Sequence, residues 1–566
     1  MGRRRNIVVI GGSAAGPKAA ARARRLDQNA QITIIQKEPD LSMASCGYPY
    51  YVGGFFNERT KLLSTGSGIL RNPDYYLNTK GILAKPLTEA TTIDCSSKKV
   101  TCRNVFAGNS EFLVYDKLII ATGSITRMPD VHGRNLNGVT TLKSISDADF
   151  LRRVRDEGKV RRAVVIGAGL IGIETSEVLQ MAGIRTTVVE LLPQILSFLD
   201  TQLASLIEGH IREKGASVIT NMGVTKFLGK NGSLVAVKLT NGMELPCELA
   251  VIATGVSPNV GLARNAGLRI GKAGGIVVDR YMQTSDPDIY AAGDCTEQYH
   301  LIIGRNRYVP YGDLANLQGR VAGENAVVGN EVTFPGTIQS GICKVFDYAA
   351  GATGLTEDMT KELGYDDTTA VIYAGLDKPG FMNGKTVISK MIVDNRSQKI
   401  IGFQCVGPGD VSKQVAQAAI AIQGGMAVKT LVNLDLPYAP PFAQAIDSFI
   451  ACAHVMENKI KGRMRGITAE DVIQKLNRGD DMFLLDVRTP GEFEALRLGI
   501  GETLIPLGEL RKRLNELPKH KTKEIIVYCK TSLRAYEAER IIEAHGWNNV
   551  AIMEGGIVAW THSRAK

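Results

Sequence analysis

With 566 residues and a hydrophobic fraction of 44%, the chain has enough apolar sequence for three to five packed domains. Its net charge of +10 comes without basic–aromatic interleaving, which excludes nucleic-acid binding and leaves a solvated basic surface that also attracts anionic small molecules such as nucleotides. No apolar run is long enough to span a bilayer, and nine scattered cysteines without a CxxC pair exclude a disulfide framework or a zinc site and fit a reducing cytoplasm, with no metal expected.

The chain opens on Arg3-Arg4-Arg5 followed by Ile7-Val8-Val9-Ile10-Gly11. This imitates a signal peptide, but the apolar stretch is short and runs into a glycine turn, so it predicts a first buried strand. The pattern Val8-Val9-Ile10-Gly11-Gly12-Ser13-Ala14-Ala15-Gly16 returns as Val164-Val165-Ile166-Gly167-Ala168-Gly169-Leu170-Ile171-Gly172. Each is a buried strand, a glycine turn and a helix start, and each leads to a further strand, Ile32-Thr33-Ile34-Ile35 or Thr187-Val188-Val189. Two βαβ units are therefore predicted. Leu118-Ile119-Ile120-Ala121-Thr122-Gly123 and Val251-Ile252-Ala253-Thr254-Gly255 are two more strands ending in matching turns, followed by Ile289-Tyr290-Ala291-Ala292-Gly293-Asp294. Residues 334–455 alternate strands with helices and carry no nucleotide motif, residues 455–466 read as a polar connector, and the final hundred residues form another α/β unit.

A glycine turn lets backbone approach a pyrophosphate, while the helix that follows presents free N–H groups and a positive dipole end. One such loop also serves ordinary packing; two in one chain, each with its downstream strand, point to two dinucleotide sites. The second carries the full GxGxxG set as Gly167, Gly169 and Gly172, and Glu190 ends the next strand, where an acid accepts from a ribose 2′-hydroxyl and repels a 2′-phosphate. NADH is thus favoured over NADPH. The first loop has Ser13 at its middle glycine, and its second strand ends in Gln36, which can still hydrogen-bond a ribose.

This order of glycine loop, ATG turn, second glycine loop, second ATG turn and AAGD resembles the two-dinucleotide flavoproteins over about residues 6–455. The resemblance implies FAD at the first loop and NADH at the second. It assigns to the two cofactors Gly11, Gly12, Ala15, Gly16, Gln36, Lys37, Ala121, Thr122, Gly123, Gly167, Gly169, Leu170, Ile171, Glu190, Gly255, Gly293, Asp294 and Ala315. Gln36 departs from the usual acid of the family. Residues 334–455 become a dimerisation domain, implying a homodimer.

Ser42-Met43-Ala44-Ser45-Cys46-Gly47-Tyr48-Pro49-Tyr50 has no second cysteine five residues away, since Leu41 and Tyr51 hold those positions, so Cys46 works alone as a mixed disulfide, persulfide or sulfenic acid. The segment resembles the SxxxCGxPY motif of coenzyme A disulfide reductases, coenzyme A persulfide reductases, and NADH oxidases and peroxidases. That resemblance implies a thiolate of lowered pKa that attacks sulfur and is reduced by FAD. The oxidases and peroxidases place a histidine in the first glycine loop; here the loop is Gly-Ser-Ala-Ala-Gly, which disfavours peroxide chemistry. Leu436-Pro437-Tyr438-Ala439-Pro440-Pro441-Phe442 resembles the YAPP segment of the coenzyme A enzymes, implying that Tyr438 reaches from the second subunit as a donor to the departing sulfur. Lys18, Arg22 and Arg25, with Ser42 and Ser45, match positions around coenzyme A.

Ile526-Val527-Tyr528-Cys529 is a strand ending in cysteine, with Lys530, Thr531, Ser532, Leu533 and Arg534 leading into a helix, so backbone N–H groups point at the sulfur. With Asp486-Val487-Arg488, Glu492-Phe493 and Gly555-Gly556-Ile557-Val558-Ala559-Trp560 it resembles a single rhodanese domain over about 467–566. Its C-x4-R ring is tighter than the C-x5-R of related phosphatases and suits sulfur. Cys529 would carry sulfane sulfur, and Lys530 and Arg534 would hold the anionic site.

The expected fold is α/β, with two Rossmann-like dinucleotide-binding domains, an α+β dimerisation domain and a rhodanese domain. Its segments are 1–125 and 251–330 (FAD), 126–250 (NAD), 331–455 (dimerisation), 456–466 (linker) and 467–566 (rhodanese). The expected activity is NADH- and FAD-dependent reduction of persulfide, polysulfide or coenzyme A disulfide in the cytoplasm, without nucleic acid or membrane partners. An NADH oxidase or peroxidase and a flavin-based redox-sensing protein are the alternatives.

Overall fold

The computed structural model of the chain describes residues 4–365, 367–562 and 564–565; Arg3 lies outside the described residues. The chain folds as two compact units, residues 1–191 with 222–337 and residues 192–221 with 338–566.

In the first unit, Asn6–Ile10 is buried on both faces because it pairs in parallel with Gln31–Ile35 on one side and Lys117–Ile120 on the other. Leu83–Lys85 and Ile289–Ala291 complete this five-stranded parallel sheet at its two edges. The helix Ala15–Leu26 buries Ala19, Ala20 and Ala23, small side chains that allow a close approach, and keeps Arg24 and Arg25 in its last turn, where cations suit the helix dipole. A second parallel set repeats the plan: Arg162–Ile166 lies between Arg185–Val189 and Leu249–Ile252, and Val139–Thr141 flanks the last of these. The helix Ile145–Glu157, opened by a Ser144/Asp147 capping box, follows Val139–Thr141 in the chain.

The second unit contains a five-stranded antiparallel sheet, in the order Gly341–Val345, Tyr348–Gly354, Lys399–Gly407, Thr386–Asp394, Thr368–Leu376. Residues 192–221, read from the sequence as part of the second nucleotide domain, cluster here. The cause is a buried charge. Lys390 projects from the interior strand Thr386–Asp394 with a side chain only 1% exposed, and its ammonium lies 3.0 Å from Asp200 and 2.6 Å from Glu357. Gln404 exchanges two hydrogen bonds of 2.7 Å with Asp200, one through the Asp200 N–H and one through its carboxylate. A partner so far away in sequence leaves no local pattern.

The C-terminal sheet is all parallel, in the order Gly466–Ile467, Val550–Met553, Glu524–Tyr528, Met482–Asp486, Thr503–Leu504. Glu554, 2% exposed, ties it to the antiparallel domain. Its carboxylate accepts from Lys459 Nζ at 2.5 Å and from the Ile372 N–H at 2.8 Å, and Lys459 also donates to the Ala370 carbonyl at 2.7 Å. Among the described residues no helix is long and apolar enough to cross a membrane.

Stranding one member of a buried ion pair typically costs about 3–5 kcal/mol. Lys459→Met should lose stability in that range, because Glu554 stays buried without its cation, whereas Glu554→Gln should lose much less. Urea denaturation of both variants measures this, and equal small losses would show that the pair does not hold the domains together.

Candidate active sites

The two glycine loops are built alike. Gly11 and Gly167 have φ of +111° and +102°, where any other residue is strained, and a Cβ on either would strike the carbonyl oxygen of Ala121 or Ala253 at 2.0 and 2.4 Å. A Cβ on Gly16 or Gly172 would lie 1.9 Å from the Gly11 or Gly167 carbonyl oxygen, so each helix must start against its own turn. The helices Ala15–Leu26 and Leu170–Met181 have no side-chain cap, leaving first-turn N–H groups for an anion. Gln36 Oε1 accepts from the Gly12 N–H at 2.9 Å, and Glu190 Oε2 from the Ala168 N–H at 2.6 Å. Gln36 thus braces its loop as the acid braces the other. Lys37 is paired with Glu89 at 2.9 Å.

Thr122, in the turn Ala121-Thr122-Gly123, donates to the Asn259 carbonyl at 2.7 Å, and open space faces Gly123, Gly255 and Gly169. The Gly293 N–H donates to Gln318 Oε1 at 2.7 Å, and Ala315 packs near Gly293. Gln318 escapes sequence reading because its partner is a backbone group on another element. Asp294 accepts from Ser124 Oγ at 3.0 Å, and Ser124 in turn accepts from Lys143 Nζ at 2.8 Å.

Cys46 sits in the single turn Ser45–Gly47 before the helix Tyr48–Gly53 and is the one exposed thiol; all nine cysteines are free. Its sulfur lies 3.5 Å from where a Cβ on Gly312 would be, and Gly312 opens the 17-residue helix Gly312–Val328. Tyr50 Oη donates to Glu174 at 3.0 Å. The resemblance implied a lowered thiol pKa; the protein groups around Cys46 by themselves push the other way. Burial pushes the thiol up, and the carboxylates of Glu174, Asp294 and Asp313 push the same way.

Cys529 is buried at the end of Glu524–Tyr528 and accepts from the Ser532 N–H at 3.1 Å. Ser532 has φ +111°, a strained value for a residue with a Cβ, and caps the helix Leu533–Ala544. The Ile557 N–H holds the Cys529 carbonyl at 2.9 Å. Arg534 makes a two-pronged pair with Glu492, at 2.7 and 2.8 Å, and also acts on the Cys529 sulfur. That contact holds the Glu492 carboxyl down to about 2. Arg488 is 3% exposed and clamped to the fully buried Asp486, so this pair fixes the loop ahead of Glu492. Lys530 is exposed beside Cys529.

The remaining expected residues fall in several settings. Lys18 and Arg25 are exposed on the first helix, but Arg22 is paired with Glu324 at 2.8 Å. Ser42 is buried with its hydroxyl on Tyr76, while Ser45 is exposed. Tyr438 is 52% exposed in an irregular segment that also exposes Phe442 and Ile446.

Residues 5–309 match the family profile described as pyridine nucleotide-disulphide oxidoreductase, residues 341–449 the dimerisation domain of that family, and residues 468–563 the rhodanese-like domain. These matches bear out the expected architecture. The NAD(P)H coenzyme A polysulfide/persulfide reductase of Pyrococcus horikoshii is 33% identical over 457 residues, covering 80% of this chain and 99% of that one. The solved structure of an NAD-dependent persulfide reductase from A. fulgidus superposes with a TM-score of 0.93 at 41% identity, over 98% of this chain and 100% of that one. Reduced Bacillus anthracis CoADR-RHD gives a TM-score of 0.91 at 32% identity, over 99% and 98%.

The helix opened by the Cys529 loop also carries Glu539, fully buried, with Oε1 accepting from the Arg465 N–H at 2.8 Å and Oε2 without a hydrogen-bond partner. Burial pushes its carboxyl up to about 7. A carboxyl raised on folding stabilises the fold fully below its unfolded pKa and loses that contribution as pH rises through the folded value. Stability should therefore fall by on the order of 2–3 kcal/mol between about pH 4.5 and 8 from this group. Glu539→Gln should flatten that slope in denaturation series at successive pH values; an unchanged slope would place the proton elsewhere.

Proposed function

The chain belongs to the pyridine nucleotide-disulphide oxidoreductase family and carries a rhodanese-like domain, and from that premise we propose that it is an FAD-dependent NADH:persulfide reductase working with a rhodanese sulfurtransferase site. Its substrates are coenzyme A persulfide, polysulfide or coenzyme A disulfide. The observation that carries this reading is Cys46, a single exposed thiol set against the first residue of a long helix, while the other cysteines are buried or half-buried.

The residues present fit both dinucleotides. Each loop excludes side chains where a pyrophosphate would lie and offers uncapped helix N–H groups beside it. FAD would be held by Gly11, Gly12, Ala15, Gly16, Gln36, Lys37, the turn Ala121-Thr122-Gly123, Gly293, Asp294 and Ala315. NADH would be held by Gly167, Gly169, Leu170, Ile171, Glu190 and Gly255. A flavin bound there supplies two-electron transfer between a nicotinamide and a thiol.

The Cys46 thiolate attacks the inner sulfur of a persulfide, R–S–S⁻. The S–S bond breaks, a new Cys46–S–S–R bond forms, and the outer sulfur leaves as HS⁻ with a proton from Tyr438 of the second subunit in a homodimer. Two electrons and one proton then return Cys46 as thiolate and release R–SH. Lys18 and Arg25, with Ser45, meet the polyanionic end of coenzyme A; Arg22 first has to give up Glu324. At the second site Cys529 exchanges sulfane sulfur with its carrier, and the Ser532 N–H, Lys530 and Arg534 stabilise the persulfide anion.

Purified protein should be yellow, contain FAD and prefer NADH, because the Glu190 carboxylate repels a 2′-phosphate. Anaerobic NADH turnover with coenzyme A persulfide, coenzyme A disulfide and polysulfide should exceed turnover with peroxide or oxygen. A preference for peroxide or oxygen would favour the NADH oxidase reading and overturn this one. Cys46→Ser should keep flavin and its reduction by NADH yet lose sulfur turnover on the order of 10³-fold or more. Tyr438→Phe should lose about 10²-fold or less, the scale of one proton donor. Cys529→Ser should abolish sulfur transfer from thiosulfate and leave flavin reduction intact; loss of both would refute two separable sites.

A further inference from the structure

The register that pairs Asp486 with Tyr528 sets Val487 beside Cys529, and the Val487 N–H donates to the Tyr528 carbonyl at 3.1 Å. The chain then turns through Arg488 and Thr489 into the short helix Pro490–Ala495, which carries Glu492 in its first turn. On the other side the Ser532 N–H meets the Cys529 sulfur at 3.1 Å, and Arg534 follows two residues later in the first turn of Leu533–Ala544. Gly556 closes a third side with backbone alone, since a Cβ there would lie 2.5 and 2.6 Å from the carbonyl oxygens of Cys529 and Lys530. Two segments, 486–492 and 529–534, therefore bring charged side chains to the rim of this loop.

Those segments hold two carboxylates, Asp486 and Glu492, and three cations, Arg488, Lys530 and Arg534. Arg488 is clamped to Asp486 and also donates to the carbonyls of Glu492 and Leu496 at 3.1 and 2.7 Å. Both prongs of Arg534 lie on Glu492, whose carboxylate also accepts from the N–H and the hydroxyl of Thr489 at 3.1 Å each. Those hydrogen bonds keep Glu492 an anion across the ordinary pH range. Among the described residues the exposed Lys530 forms no ion pair. The C-x4-R pattern offers Arg534 to an incoming anion; the fold has already given it one.

Sulfur donors differ in the charge they bring. The Cys529 thiolate attacks the outer sulfur of a persulfide, R–S–S⁻, so that Cys529–S–S⁻ forms, the donor S–S bond breaks and R–S⁻ leaves. With thiosulfate the same exchange forms Cys529–S–S⁻ and releases sulfite, SO3²⁻. The first donor adds one negative charge to the site and the second adds two, so an uncompensated charge discriminates against the second. We propose that Glu492 is a specificity-determining residue of the rhodanese site: by holding Arg534 it leaves the loop one unshared cation, Lys530, and so selects a persulfide over thiosulfate as sulfur donor. The inference rests on Cys529 being the sulfur carrier.

The test measures thiocyanate formation by the full FAD-containing chain, cyanide taking the outer sulfur of Cys529–S–S⁻ and returning the Cys529 thiolate. All variants carry Cys46→Ser, so that Cys46 does not consume donor, and rates are corrected with Cys529→Ser. The donors are thiosulfate and the persulfide of N-acetylcysteamine, a thiol with no charge of its own. The parent should favour the persulfide in kcat/KM. Glu492→Gln keeps the capping box, which glutamine also serves, and leaves the Arg534 charge unpaired. It should raise kcat/KM for thiosulfate about tenfold, the scale of one unit charge at a partly exposed site, and change the persulfide value about threefold or less. Its thiosulfate rate should also fall more steeply with added salt than the parent's. Lys530→Gln approaches the same balance from the other side and should cost thiosulfate about tenfold more than the persulfide. A donor ratio unmoved in both variants, or an equal loss with both donors, would overturn the proposal while leaving Cys529 as the carrier. Thiocyanate formation no faster than in Cys529→Ser with either donor would sink the sulfurtransferase reading itself, and this inference with it.

Discussion

The chemistry of this chain depends on what a parallel strand can do at its carboxyl end. Asn6–Ile10, Arg162–Ile166 and Glu524–Tyr528 each have parallel neighbours on both sides, so each is buried after its polar first residue and fixed in register. Each is followed, after a few residues, by a helix whose first N–H groups have no partner within the helix. Those groups can be satisfied only by something that enters the turn. In two turns the side chains are removed, so the backbone is free to face a phosphate. In the third a cysteine is kept, and the Ser532 N–H is spent on its sulfur. A single strand–turn–helix device therefore gives two nucleotide cradles or a sulfur cradle, according to whether glycine or cysteine follows the strand.

Charge separates the structural positions from the chemical ones. The buried charges that join elements are neutralised in pairs or triads, Lys390 with Asp200 and Glu357, Glu554 with Lys459, and Asp486 with Arg488. Removing the partner of the more buried member, as with Lys459 opposite Glu554, leaves a buried ion, which makes these contacts resistant to change. Lys143 is arranged differently, because its fixed partner is a hydroxyl. Arg534 is intermediate, since Glu492 takes both prongs of its guanidinium while its charge still acts on the Cys529 sulfur. That geometry orients the guanidinium and tempers the positive field at the sulfur.

How much could be read from the sequence follows from the range of each interaction. Glycine loops, their strands and the cysteine-ended strand are local patterns, so two nucleotide domains and a rhodanese domain were legible from a few dozen residues. The function of Gln36 was half legible. Its position at the strand end was clear, but its hydrogen bond to the Gly12 N–H exists only once the strand and turn are packed. The allegiance of residues 192–221 was illegible, because Asp200 finds Lys390 and Gln404 about two hundred residues on. The electrostatics of Cys46 were illegible for the same reason: Glu174, Asp294 and Asp313 come from three later segments. A resemblance to reactive thiols carries over the residue and leaves out the sum of charges around it.

The two cysteines show why a chain that handles sulfur in two ways needs two solutions to one problem. Cys529 is buried and accepts from an amide N–H, with the charge of the tethered Arg534 guanidinium acting on it, groups that stay charged or polar at any ordinary pH. A sulfur stored there as an anion is screened from solvent and from adventitious reaction. Cys46 is open and ringed by carboxylates, so its anion is less stable and, for a given extent of ionisation, more nucleophilic. Attack on a sulfane sulfur gains from that basicity, and the following reduction must break a bond to the same sulfur. Stable storage at one cysteine and transient reactivity at the other thus follow from the surroundings of each sulfur, an amide N–H inside the fold at Cys529 and carboxylates about an open thiol at Cys46.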